Sequence, residues 1–273
     1  MRTIVITGAS DGIGAAASRQ LVAKGHRVVL VGRSPEKTRA VADELGMPHH
    51  LADFADLAQV RRLADELLTA YPRIDVLANN AGGIFGPRKL TTDGFEQTFQ
   101  VNHLGPFLLT NLLHERLVES EASVIQTSSA AARIFSRFDI ADLNGAGRYS
   151  GRVAYGNAKL ANVLFTRELQ RRWGGEGISA AAFHPGVVAT GFAGNTTGPF
   201  RWMYHNPLAK WLLTTTDEGG KRLVFLADGT PGTDWLPGAY YENDRVTKTH
   251  KLGTDERLAR ELWDRSAEMV ALA

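Results

Sequence analysis

Short runs of β-branched and aliphatic residues alternate with stretches of helical period almost from end to end of the chain. Continuous apolar runs of this length read as strands buried on both faces, and the longer 3.6-period stretches between them read as helices. Thr3–Thr7 (TIVIT) opens the pattern as a strand, followed by an Ala-rich helix over Gly12–Lys24. Strands at Val28–Val31, His49–Leu51 and Ile74–Ala78 are separated by helices Pro35–Leu45 and Leu57–Ala70. Ser34 is placed to cap the first of these two helices, with Pro35 at its first position. A long helical stretch, Asp93–Val118, leads to a fifth strand at Val124–Thr127, and Val153–Trp173 leads to a sixth at Ser179–Phe183. Ala239–Tyr241 supplies a seventh before a terminal helix, Asp255–Val270.

Strands joined through helices need crossover connections, which favour a parallel sheet covered on both faces. No Pro/Ser run, charge block or internal repeat marks a boundary. The pattern predicts one α/β domain over residues 1–273, a Rossmann-type doubly wound fold with a seven-stranded parallel sheet. Ala130–Ala154 and Ala193–Thr216 break the regular alternation, as segments that carry function often do.

Composition narrows the function classes. With 273 residues, 44% of them hydrophobic, the chain can bury a sizeable core, which excludes wholesale disorder. Lys and Arg total 31 against 29 acids, a net charge of +2, so no field of one sign is present to gather nucleic acid. Cysteine is absent, which removes disulfides, thiolate nucleophiles and cysteine-ligated metals, and fits a reducing compartment. Met1-Arg2 runs straight into the first strand, and no apolar stretch reaches eighteen residues. A soluble, cytoplasmic protein without a membrane anchor is expected. The eight histidines build no metal site: His114-Glu115 would begin a zinc-binding helix, but Val118 stands where the second histidine is required.

Chemistry concentrates at the ends of the strands. Thr7-Gly8-Ala9-Ser10-Asp11-Gly12-Ile13-Gly14 links strand one to helix one. Glycines here would permit a tight turn, close approach of a pyrophosphate and tight packing, with the helix N-terminus facing the anion. NAD-binding sites carry a carboxylate near the end of strand two for the ribose 2′-hydroxyl. That strand ends Val31-Gly32-Arg33-Ser34, and no acid precedes Glu36. Arg33 could pair with a 2′-phosphate instead, which points to NADP(H) rather than NAD(H); the alternative is an exposed arginine at a helix cap. The charge of Asp11 near the phosphates complicates this reading. Tyr155 is the one tyrosine with a lysine four residues later, Lys159. On a helix that spacing puts both on one face, where a cation lowers the pKa of a phenol.

These segments, together with Asn79-Asn80-Ala81-Gly82, Asn102, Ser128-Ser129, Tyr155-Gly156-Asn157-Ala158-Lys159 and Pro185-Gly186-Val187-Val188-Ala189-Thr190, resemble the short-chain dehydrogenase/reductase family over roughly the first 190 residues. Asp142-Leu143-Asn144, KLANVLFTREL and FHPGVVAT look like its retinol-dehydrogenase-like branch. The resemblance implies that Tyr155 exchanges the proton with the substrate oxygen and that Lys159 holds the nicotinamide ribose. It implies that Ser129, chosen over Ser128 by alignment, hydrogen-bonds the carbonyl, and that Asn102 carries a water-linked relay behind the lysine. Gly8, Ser10, Asp11, Gly12, Ile13 and Gly14 would surround the pyrophosphate. Asp53 would contact adenine, unless it only caps the following helix. Asn79, Ala81 and Gly82 would line the adenosine side, and Pro185, Gly186, Val188 and Thr190 the nicotinamide.

Phe135, Phe138 and Tyr149 either line the substrate pocket or pack the 130–154 insertion. Phe192, Phe200, Trp202, Met203, Tyr204 and Trp211 fall where the family places its substrate lid, about 191–216, and suggest a hydrophobic small-molecule substrate. The expected activity is interconversion of a carbonyl and an alcohol. The rival reading is a catalytically silent NADP(H)-binding regulator of the same fold. Family members often pair through their long helices, so a homodimer or homotetramer is possible, although insertion-bearing members can be monomers.

Overall fold

A computed structural model describes residues 1–186 and 215–272. Seven parallel strands form its sheet: β1 (Thr3–Thr7), β2 (Arg27–Gly32), β3 (His49–Leu51), β4 (Val76–Asn79), β5 (Ser123–Thr127), β6 (Ser179–His184) and β7 (Tyr240–Glu242). Their order is β3-β2-β1-β4-β5-β6-β7, with the chain reversing direction of travel between β3 and β4. The expected sheet gains one member, the two-residue antiparallel strand β8 (Arg245–Val246), which pairs with β7. A two-residue strand leaves no periodicity to read, and the turn before it needs positive φ at Asn243 and Asp244.

Helices cover both faces. On one side lie α3 (Leu57–Ala70), α5 (Gly105–Leu112), α8 (Gly151–Trp173) and the terminal α10 (Glu256–Met269), packed on Val5, Leu77, Val124 and Ala180. On the other, α1 (Gly12–Ala23), α2 (Pro35–Leu45) and α9 (Thr216–Asp228) pack on Ile4, Ile6, Ile125 and Phe183. Neighbouring strand residues thus feed opposite cores, and β1, β2, β4 and β5 are buried along nearly their whole length. Trp263 of α10 closes the first core, its ring 5.1 Å from Phe107, 5.5 Å from Phe165 and 5.2 Å from Trp173.

The stretch Asp93–Val118 is not one helix. It divides into α4 (Gln97–Phe99), a π-helical turn over Gln100–Leu104, α5, and α6 (His114–Glu119). Pro106 has no N–H to donate to the carbonyl four residues back, that of Asn102, and a widened turn is one way the chain absorbs such a break. Glu96 starts the stretch by accepting from the amides of Thr98 and Phe99, at 2.8 Å each.

Candidate active site

The C-terminal ends of β1, β4 and β5 meet where the strand order reverses, the place at which open α/β sheets form a crevice. The glycine turn after β1 is built for close approach. Gly8 and Gly12 have φ of +68° and +55°, and a side chain on Gly8 would run into the backbone of Ala81. Thr7 ties the two loops together: its hydroxyl accepts from the amides of Asn80 and Ala81 at 3.0 Å, and Asn80 Nδ2 donates back to the Thr7 carbonyl at 3.0 Å. Asp11 caps α1, accepting from the Gly12 amide at 2.7 Å, while its other carboxylate oxygen takes the Lys37 ammonium at 2.9 Å. Ser10 and Ile13 are half-buried in the same loop.

Arg33 stands exposed just past β2. The residue before it, Gly32, has no room for a side chain: a Cβ there would overlap Thr38 Oγ1 and lie 3.0 Å from Ser10 Cβ. The side chains of Asn79 and Asp53 each have a partner within the protein. Asn79 turns its side chain into the core, donating to Thr110 Oγ1 at 2.9 Å. Asp53 closes a local turn on the Ala55 amide at 3.0 Å, and the cap of α3 is Asp56 instead.

Tyr155 and Lys159 lie one turn apart on α8, both buried, with Lys159 Nζ 5.5 Å from the centre of the phenol ring. Lys159 Nζ donates to the Thr127 carbonyl at 3.0 Å, and burial pushes its pKa down to about 7. The two serines after β5 do different things. Ser128 is buried and donates to the Lys159 carbonyl at 2.8 Å, whereas half-buried Ser129 accepts from the Ala131 amide at 3.2 Å. Asn102 is wholly buried and clamps the neighbouring loop: Nδ2 donates to the carbonyls of Gly83 (2.9 Å) and Thr98 (2.8 Å), and Oδ1 accepts from the Gly83 amide at 3.1 Å. Its backbone carbonyl is the group left without a four-residue donor by Pro106. Pro185 and Gly186, the latter at φ +97°, follow β6. Val188, Thr190 and the aromatic cluster from Phe192 to Trp211 lie outside the described residues.

Two residues of the Tyr155–Lys159 motif to which the sequence assigned no role pack α8 against the insertion. Gly156 lets α8 cross the short helix α7 (Ala131–Ile134) closely, since a side chain there would lie 2.8 Å from the Ala131 carbonyl. Asn157 then pins the insertion, accepting from the Arg137 amide at 2.8 Å and the Ser136 hydroxyl at 3.0 Å. A glycine inside an otherwise helical run was the available signal. In the insertion, Phe138 packs on the main core, Tyr149 donates to Glu96 at 3.0 Å, and Asn144 Oδ1 accepts from the Glu96 amide at 3.0 Å. The Asp142-Leu143-Asn144 segment is therefore part of the structural anchor of this loop. Among the described residues, no cluster of histidines and carboxylates could hold a metal ion, and no helix is long and apolar enough to cross a membrane.

The short chain dehydrogenase family model matches residues 2–198. This chain belongs to the short-chain dehydrogenase/reductase family. It is 42% identical over 276 residues to a Streptomyces sp. (strain C5) protein provisionally named daunorubicin C-13 ketoreductase DnrU, covering 98% of this chain and 92% of that one. It is 35% identical over 290 residues to human retinol dehydrogenase 13, covering 99% and 85% of the two chains. A Pseudomonas aeruginosa RhlG/NADP active-site complex superposes with a TM-score of 0.69 at 26% identity, over 88% of this chain and 93% of that one. The chain is thus an oxidoreductase of the retinol-dehydrogenase-like branch, acting between alcohols and carbonyls.

Proposed function

We propose that the protein is an NADP(H)-dependent reductase of a hydrophobic aldehyde or ketone, working in the cytoplasm, with Tyr155 as its acid–base group. The observation that carries this reading is the buried Tyr155–Lys159 pair on one face of α8, with Ser129 half-buried just past the end of β5. The glycine turn, with positive φ at Gly8 and Gly12, leaves a cradle that side chains would fill, and it fits a dinucleotide pyrophosphate. Arg33, next to a glycine whose Cβ would meet Thr38 and Ser10, supports the 2′-phosphorylated form.

When bound, the dinucleotide supplies or takes the hydride at the carbinol carbon. Ser129 donates to the substrate oxygen and stabilises the negative charge that develops there. Tyr155 gives its phenolic proton to that oxygen in reduction and takes it back in oxidation. Lys159, once protonated, favours the phenolate, which brings the tyrosine toward neutral pH. Asn102 holds the Gly83 loop against Lys159, and its backbone carbonyl would offer a water a place from which to return a proton to the lysine. Gly8, Gly12, Ile13 and Gly14 would face the pyrophosphate, Ala81 and Gly82 the adenosine side, and Pro185, Gly186, Val188 and Thr190 the nicotinamide.

The test is NADPH oxidation, with NADH in parallel, over apolar aldehydes, ketones and quinones. Turnover that disappears in Tyr155→Phe while NADPH still binds is the expected result. Tight NADPH binding with no turnover on any compound would favour the silent regulator, and a Kd for NADH as low as that for NADPH would overturn the cofactor assignment.

A further inference from the structure

Asp11 and Lys37 form an ion pair across the mouth of the glycine turn, and neither the catalytic groups nor the glycine cradle accounts for it. Asp11 Oδ2 and Lys37 Nζ are 2.9 Å apart, and both side chains are largely exposed. The other oxygen of Asp11 holds the Gly12 amide, so a carboxylate lies between an ammonium and the N-terminus of α1. An anion is thereby already bound where helix N-termini gather phosphate. The hydrogen bond from Lys37 is the main cause of an Asp11 pKa below the ordinary carboxylate value.

Lys37 lies in the first turn of α2, four residues after Arg33, and Ser34 fixes the start of that helix by accepting from the Lys37 amide at 3.4 Å. Thr38 anchors the same turn by donating to the Ser34 carbonyl at 2.6 Å and fills the space beside Gly32. Two cations, Arg33 just past β2 and Lys37 in the first turn of α2, follow the strand, and Lys37 is engaged by an acid of this chain.

We propose that Lys37 is a second cation of the 2′-phosphate subsite and that Asp11 is its resident counter-ion, displaced from Lys37 when a 2′-phosphorylated dinucleotide binds. This rests on the NADP(H) reading above. The preference for NADP(H) then has two parts: two cations attract the phosphate, and the loss of the Asp11–Lys37 pair opposes it. NAD(H), with a neutral 2′-hydroxyl, leaves the pair intact. Asp11 accordingly sets how strongly the site discriminates, without contacting the reacting atoms.

The experiment is titration of the full-length protein with NADPH and with NADH, following nucleotide fluorescence, for wild type, Lys37→Gln, Asp11→Asn, the double variant and Arg33→Gln. Asn retains the cap of α1. Lys37→Gln is expected to weaken NADPH about tenfold, the scale of one charge-assisted contact to phosphate, and to change NADH less than twofold. Asp11→Asn is expected to tighten NADPH several-fold, and that gain should vanish on the Lys37→Gln background, because the two side chains act as a unit. An unchanged NADPH/NADH ratio in Lys37→Gln overturns the proposal. If Arg33→Gln alone abolishes the preference, the NADP(H) reading stands and the Lys37 assignment falls. If wild type does not prefer NADPH, both fall.

Discussion

Gly82 and Asn102 are packed so closely that position 82 admits no side chain: a Cβ there would overlap Asn102 Oδ1 and lie 3.1 Å from Lys159 Nζ. One glycine therefore touches two groups assigned to the proton path. Gly82→Ala should push Asn102 off the Gly83 peptide, lowering kcat/KM at least tenfold and stability by about 1–3 kcal/mol. Steady-state kinetics and urea unfolding check this; wild-type kinetics would show that Asn102 can shift without consequence.

Lys159 is a base whose folded-state pKa, about 7, is below its ordinary value. Between about pH 7 and the unfolded value near 10.4 the unfolded chain binds the extra proton, so for this group stability rises with pH across that window. Below it, burying the ammonium costs stability in full. Lys159→Met should raise the Tm of the cofactor-free protein at pH 7 by a few degrees and flatten its slope between pH 7 and 10, while abolishing turnover. Thermal melts at several pH values decide it.

Tyr149 donates to buried Glu96, and burial with the nearby carboxylate pushes its pKa up to about 12, so the bond persists through the working pH range. Tyr149→Phe should cost about 1 kcal/mol. Glu96→Ala should cost more, because the cap before α4 is lost as well. Both variants should speed tryptic cleavage after exposed Arg148, whereas unaltered cleavage would mean the insertion is held elsewhere.

Gly32 ends β2, the region in which NAD-binding sites carry a ribose-binding carboxylate. Gly32→Asp alone should lower the Tm, since its Cβ meets Thr38 and Ser10. Adding Thr38→Ala should restore much of the folding and weaken NADPH at least tenfold, the new carboxylate repelling the 2′-phosphate. Binding titrations of single and double variants separate the steric effect from the electrostatic one.

The alternation of strands and helices was legible because the buried parallel strands centre on short β-branched runs, as in TIVIT and RVVLVG. The broken helix around Asn102 was not, because a π turn keeps its apolar residues near helical spacing and Pro106 was the one mark of the break. Of the site, Tyr155, Lys159 and the glycine turn stood out by spacing. Lys37 did not: an exposed lysine on a helix has an ordinary surface role in most chains. The inward turn of Asn79 was also hidden, since choosing between neighbouring asparagines at a strand end needs the register of β4 against α5.

The terminal helix α10 lays Trp263 on Phe107 of α5 and on Phe165 and Trp173 of α8, with the Arg172 guanidinium 4.8 Å from the Trp263 ring centre. Behind it, His103 Nε2 and Ser266 Oγ are 2.9 Å apart in the core. These aromatic faces of α5 and α8 are covered by a segment of the same chain, which does there what a neighbouring subunit would do. Shortening the protein from its C-terminus would uncover a greasy aromatic surface at the back of the catalytic helix, so a truncated product should become sticky before it becomes inactive.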